Sequence, residues 1–169
     1  LSQLCGEAAG QARSMATAEL PRGPGSYVLI LRVRDRVSLQ VGGLGMLGTR
    51  PGFYLYVGSA QGPGGLRARL SHHLGVARRP RWHLDYLRPL GQVLEVWYSL
   101  DSRRREDAWA GLLRAMPALS IPLPGFGASD CRGKTHLFFS PRPPPFRSFV
   151  SRVHQALRDS GSLHRVVFP

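Results

Sequence analysis

The residues of this chain best suited to chemistry are a tyrosine and an arginine in one stretch, Gly52 to Leu74, reading GFYLYVGSAQGPGGLRARLSHHL. Tyr56 lies in the aromatic and β-branched run Phe53 to Val57, which predicts a short strand ended by Gly58. Pro63, Gly64 and Gly65 break that pattern. Leu66, Leu70 and Leu74 then recur at the spacing of one buried helix face, and Arg67 and Arg69 leave that face on other sides. A phenol can accept or donate a proton. A guanidinium can hold a phosphate through two parallel hydrogen bonds. A tyrosine at a strand end facing an arginine one or two turns into the next helix therefore makes a pair able to act on a phosphate.

Composition favours a polyanionic partner for such a pair. The chain has 169 residues, enough for one domain with its own core. Its net charge is +13, from 23 basic and 10 acidic residues. A balance this basic points to nucleic acid as the leading partner. Lys134 is the only lysine, and with 20 glycines and 14 prolines this resembles GC-biased coding. Such bias favours Arg over Lys but does not by itself remove acids. No apolar run approaches the length of a bilayer span, and no signal-peptide pattern opens the chain. Cys5 and Cys131 are too few for a disulfide framework. A monomer in a reducing cytoplasm, without membrane contact, is the expectation.

The elements that must position the pair read as follows. Residues 1–20 are Ala/Gly/Ser-rich and are expected to form a flexible leader; 21–140 hold the functional domain, and 141–169 a helix and strand extension packed on it. Gly25 to Val33 is a strand long and apolar enough to be central, with Tyr27 near its start. Val37 to Val41 is a second strand. Gly43, Gly45 and Gly48 satisfy GxGxxG, but Pro51 stops the helix that a dinucleotide site requires, so a wide hairpin turn is expected there. Arg78, Arg79 and Arg81 form a basic loop after the Arg69 helix and, with Arg67, are candidates for nucleic-acid contact. Residues 82–87 predict a short helix, Gln92 to Ser99 a strand, and 103–116 a helix capped by Asp101 or Ser102, with Glu106 in its first or second turn. Thr135 to Ser140, Phe146 to Arg158 and Leu163 to Phe168 complete the series as strand, helix and edge strand. The alternation suggests a small α/β or α+β sandwich.

Each candidate has a plainer role beside it. Strand tyrosines are commonly half-buried packing residues. Arg69 alone would lie on a solvated helix face. Glu106 alone would be an acid favoured by the helix dipole, or the partner of Arg103, Arg104 or Arg105 in a surface ion pair. His72, His73, His83, Cys131 and His136 invite a zinc site, but the spacing of Cys131 and His136 is not that of a zinc motif. Asp130 could equally cap a turn.

Gly25-Ser26-Tyr27 followed by Tyr56-Val57-Gly58 resembles the paired signature of the GIY-YIG nuclease superfamily. The phrases VGGLG (41–45), YVGSAQGPGGLRARL (56–70), WHLDYL (82–87), FGASDC (126–131) and THLF (135–138) are similar to a branch of it long described as a domain of unknown function, sometimes fused to an endonuclease III-type glycosylase. The resemblance covers about residues 24 to 140. It implies an α+β fold with a three-stranded antiparallel sheet flanked by helices, and Mg²⁺- or Mn²⁺-dependent cleavage of DNA. Carried over by position, it implies catalytic roles for Tyr27, Tyr56, Arg69 and the helix-end His73, and Glu106 as metal ligand. Gly58, Ser59, His83, Asp85, Ser129 and Asp130 become supporting candidates. The chain departs from the pattern in having Ser26 for isoleucine, Ser59 where several members have lysine, no asparagine, and Gly133 where the branch has a second cysteine. A basic nucleic-acid-binding module that kept the fold and lost cleavage is the alternative these departures leave open.

Overall fold

The computed structural model describes residues 17–128 and 134–169. In chain order its elements are β1 (Gly25–Val33), β2 (Ser38–Val41), β3 (Gly45–Gly48), β4 (Gly52–Ala60), α1 (Gly65–Leu74), α2 (His83–Leu87), a 3₁₀ turn (Arg88–Leu90), β5 (Gly91–Leu100), α3 (Glu106–Arg114), β6 (Leu137–Ser140), α4 (Phe146–Ala156) and β7 (His164–Val167). Five strands form one antiparallel sheet in the order β6-β4-β1-β5-β7, and β2 and β3 pair separately. The fold is α+β, as expected. The sheet is wider than the expected three strands. β4, β1 and β5 are its long central members, and short β6 and β7 extend it at opposite edges.

β1 lies at the centre because nearly every residue in it is apolar, so it can be buried on both faces. Tyr27, Leu29, Leu31 and Val33 enter one core with Leu66 and Leu70 of α1 and Leu84 and Leu87 of α2. Val28 and Ile30 enter the other, with Trp109 and Leu113 of α3 and Phe149 and Val153 of α4. The molecule thus has three layers, with α1 and α2 on one side of the sheet and α3 and α4 on the other. This layering puts α1 and α3 within reach of the same sheet end from opposite sides.

Four local expectations are corrected. β4 does not stop at Gly58 but runs on to Ala60, because its pairing with β1 continues as far as Gly25. The glycine-rich connector is not one wide turn: residues 45–48 pair with β2 in a tight hairpin. α3 starts at Glu106, not near Arg103. Asp101 does accept the Arg103 N–H at 2.9 Å and the Arg105 Nε at 2.7 Å, but these bonds hold 101–105 outside the helix. Finally, residues 17–20 do not behave as leader. Leu20 is fully buried in the core, and Arg67 donates to the carbonyls of Leu20 and Ala18 at 2.6 and 2.7 Å.

Candidate active site

Tyr27 and Tyr56 stand on neighbouring central strands and on the same face, with ring centroids 6.5 Å apart. Strand alternation puts them there. Tyr27 pairs across with Gly58, and Leu29 with Tyr56. Gly58 has to be a glycine, because the Tyr27 ring lies over its Cα and a Cβ there would sit 2.4 Å from the phenol oxygen. The second glycine of the site, Gly127, has φ +78° and brings backbone against Tyr56, where a Cβ would lie 3.0 Å from the ring. His83 fixes that loop by accepting the Gly127 N–H on Nδ1 at 2.9 Å, and Phe126 packs edge-on against both His83 and Tyr56.

α1 supplies the third side. His73, in its last turn, is buried with its ring 6.0 Å from Tyr27 and 5.8 Å from Tyr56. Arg69, one turn earlier, stacks its guanidinium 4.5 Å from the centre of the Trp82 indole. Trp82 itself is gripped from several directions. His72 and His73 meet its ring edge-on at 4.4 and 5.5 Å, Arg81 lies 5.3 Å away, and its N–H donates to Asp85 Oδ2 at 3.0 Å. That last bond caps the start of α2.

α3 closes the site from beneath the sheet. Ser59 and Ser26 face that side, and both hold the start of the helix. Ser26 Oγ accepts the Arg105 N–H at 3.0 Å, and Ser59 Oγ donates to Glu106 Oε2 at 2.6 Å. The exposed Arg104 holds Oε1 at 2.5 Å. Ser59 therefore orients the Glu106 carboxylate directly, while Ser26 holds the backbone just before it.

Tyr27, Tyr56, Gly58, Ser59, Arg69 and Glu106 line an open cleft of about 510 Å³, whereas buried His73 lies behind its wall. Trp82, Arg104, Asp107, Gly127, Lys134 and His136 complete its wall. Of the expected supporting residues, Asp85 stands behind Trp82 and His83 behind Gly127. Ser129 and Asp130 lie outside the described residues, as does Cys131. Arg67 is turned to the 17–20 segment and does not line the cleft, whereas Arg78, Arg79 and Arg81 are exposed beyond Trp82. The sequence reading missed Asp107, Lys134 and His136 as cleft residues. Asp107 accepts from Lys134 at 2.8 Å and lies 3.1 Å from His136 Nε2. Its position directly after Glu106 was the available signal.

A free phenol titrates at about 10, so a phenolate at neutral pH would need arginines or a metal to lower it. Burial instead raises Tyr56 to about 12, with Arg69 pulling down and Glu106 and Asp85 pushing up. Tyr27 is raised further, by burial first and then by Tyr56, against Arg69. Both phenols are neutral at pH 7. His73 is also neutral: burial first, then His72 and Arg69, lower it to about 3 against the opposing pull of Asp85. Burial likewise lowers His83, consistent with Nδ1 acting as an acceptor.

Fold and site define an α+β domain with an open polar cleft at the end of its central strands. Residues 26–159 match the family model described as Domain of unknown function DUF123, and the chain belongs to that family. Neither a search of curated proteins nor one of solved structures finds a match. No helix among the described residues is long and apolar enough to cross a membrane.

Proposed function

We propose that the protein is a divalent-metal-dependent endonuclease of the GIY-YIG kind, hydrolysing phosphodiester bonds in DNA. The observation that supports this reading is convergence. Tyr27, Tyr56, Arg69 and Glu106 come from four different elements in all three layers and line one cleft. Packing alone gives no reason for a guanidinium and a carboxylate to meet two phenols there.

In this reading Arg69 binds the non-bridging oxygens of the scissile phosphate, pre-oriented by its stack on Trp82. Tyr27 and Tyr56, held neutral, hydrogen-bond to the phosphate and the attacking water and can pass a proton on without forming a phenolate. His136, a cleft residue held by Asp107, would take the water's proton in this reading. The donor set fits Mg²⁺ or Mn²⁺: Glu106 offers a carboxylate fixed by Ser59, Arg104 is exposed enough to swing off the other oxygen, and the cleft has room for the waters such ions retain. When bound there, the ion would stabilise charge on the phosphate and the leaving oxygen.

The alternative, a binding module without cleavage, draws on the same carboxylate, since Arg104 and Ser59 together occupy both its oxygens. A cleavage assay separates the two. It uses supercoiled, single-stranded and branched DNA with Mg²⁺, Mn²⁺ or EDTA, and compares wild type with Tyr56→Phe, Arg69→Ala and Glu106→Ala. Metal-dependent cutting abolished by these substitutions is the expected result. Salt-sensitive binding without cutting on any substrate would favour the module, and cutting that survives all three would place the chemistry elsewhere.

A further inference from the structure

We propose that His72, His73 and Asp85 form a second, separate cation site, for a transition metal of the Zn²⁺ class. Among the described residues this is the one group of three or more His, Cys, Asp or Glu side chains whose donor atoms all lie within 4.8 Å of one another. His72 Nε2 stands 3.0 Å and His73 Nδ1 4.0 Å from the same oxygen, Asp85 Oδ1. Ligand atoms around a tetrahedral zinc, each about 2.0–2.1 Å from it, sit roughly 3.4 Å apart. The two distances to Asp85 Oδ1 straddle that value, so small side-chain rotations bring three donors to a metal and leave the fourth tetrahedral position to water.

A second observation points to a ligand independently. His73 is 1% exposed, and its Nδ1 is buried with no hydrogen-bond partner among the described residues. Buried ring nitrogens normally have one. This nitrogen is aimed at the carboxylate but is too far away to bond it. The carboxylate is also prepared for a cation. Asp85 Oδ2 accepts the N–H groups of Arg81 and Trp82 at 2.8 and 3.0 Å, which fixes the carboxylate plane and leaves Oδ1 facing the imidazoles. Burial alone would raise the Asp85 pKa, but those two N–H groups and His72 lower it, so the group is ionised at neutral pH.

Consecutive helical residues point about 100° apart, given 3.6 residues per turn. His72 and His73 still converge because they would use different nitrogens, the far Nε2 of one and the near Nδ1 of the other. With a metal on Nε2, His72 carries its proton on Nδ1. Two imidazoles and one carboxylate suit zinc, cobalt or nickel, whereas magnesium prefers an all-oxygen shell. The site would tie the last turn of α1 to the start of α2, directly behind Trp82 and the two tyrosines. It rests on neither reading of the cleft.

The test uses the full chain stripped of metal, titrated with Zn²⁺ by calorimetry and with Co²⁺ by visible absorption. Side-chain ¹⁵N shifts of the histidines are followed in the Zn²⁺ titration. One equivalent should bind, the ¹⁵N signals of His72 and His73 should move, and Co²⁺ should quench Trp82 fluorescence. His72, one-third exposed, can be changed without opening the core. His72→Gln should weaken Zn²⁺ binding by about tenfold or more, the scale seen for lost metal-site partners. Glu106→Gln should leave it unchanged. No saturable binding, shifts confined to other histidines, or binding that survives His72→Gln would overturn the site. Loss of Zn²⁺ in Glu106→Gln would overturn it too, by placing the ion in the cleft.

Discussion

At the residue scale, the site depends on phenols that stay protonated. The folded pKa of Tyr56, about 12, lies above the unfolded value of 10.0. Its contribution to stability is therefore complete below pH 10 and is lost as pH rises through about 12. Two units correspond to something on the order of 3 kcal/mol. Denaturant midpoints measured between pH 9 and 12 should fall steeply in wild type and less steeply in Tyr56→Phe. Equal slopes would mean that Tyr56 is not held as described. A second residue-scale consequence concerns Gly58. A Cβ at 2.4 Å from the Tyr27 oxygen forces that ring to move. Gly58→Ala should cost roughly 1–3 kcal/mol, the range for overpacked cores, and should displace Tyr27 from the cleft. Urea unfolding and the ring NMR signals of Tyr27 would show whether it does.

At the element scale, function depends on two helices meeting one sheet end from opposite layers, and each is held by a small number of contacts. Trp82 fixes Arg69 of α1. Trp82→Ala should therefore reduce DNA cleavage by a factor of about 10 to 100, comparable to losing a positioning contact, while the fold is retained. Circular dichroism together with the cleavage rate checks both halves. Trp82→Phe, which keeps an aromatic face, should recover part of the loss. Much of this architecture was legible in the chain. The apolar run of Gly25–Val33 announced a central strand, and Leu66, Leu70 and Leu74 announced α1 by spacing. The start of α3 was not legible, because Asp101 looked like a cap and its bonds instead hold a loop. Ser26 and Ser59 looked like losses from a motif; only the strand register shows that both face α3, where Ser26 holds Arg105 and Ser59 holds Glu106. The His72–Asp85 contact was missed for a related reason. The histidines were weighed only with Cys131, a set that spacing rejects, whereas the packing of α1 on α2 brings in a carboxylate.

At the scale of the whole molecule, the net charge of +13 bears on how the cleft meets its substrate. Arg78, Arg79 and Arg81 lie exposed on the loop beyond Trp82, Arg69 is on the adjacent wall, and Arg104 and Lys134 border the cleft on its other side. In the nuclease reading a backbone laid across the cleft meets Arg69, Arg104 and Lys134, and its proposed path extends to the three loop arginines. If about five phosphates are neutralised, log Kobs for duplex DNA should fall against log salt with a slope of about −4.5, near 500-fold between 50 and 200 mM. Replacing Arg78, Arg79 and Arg81 with alanine should make the slope shallower by about 3. Because those side chains stand outside the cleft, the same variant should keep most of its cutting rate at saturating DNA and low salt, if the nuclease reading holds. Fluorescence anisotropy across a salt series measures the slope, and single-turnover cleavage measures the rate. A slope unchanged by the triple variant would mean that DNA approaches by another face. A shallower slope accompanied by an equal loss of single-turnover rate would mean that the loop holds the scissile phosphate itself, and Arg69 would then no longer stand alone as its clamp.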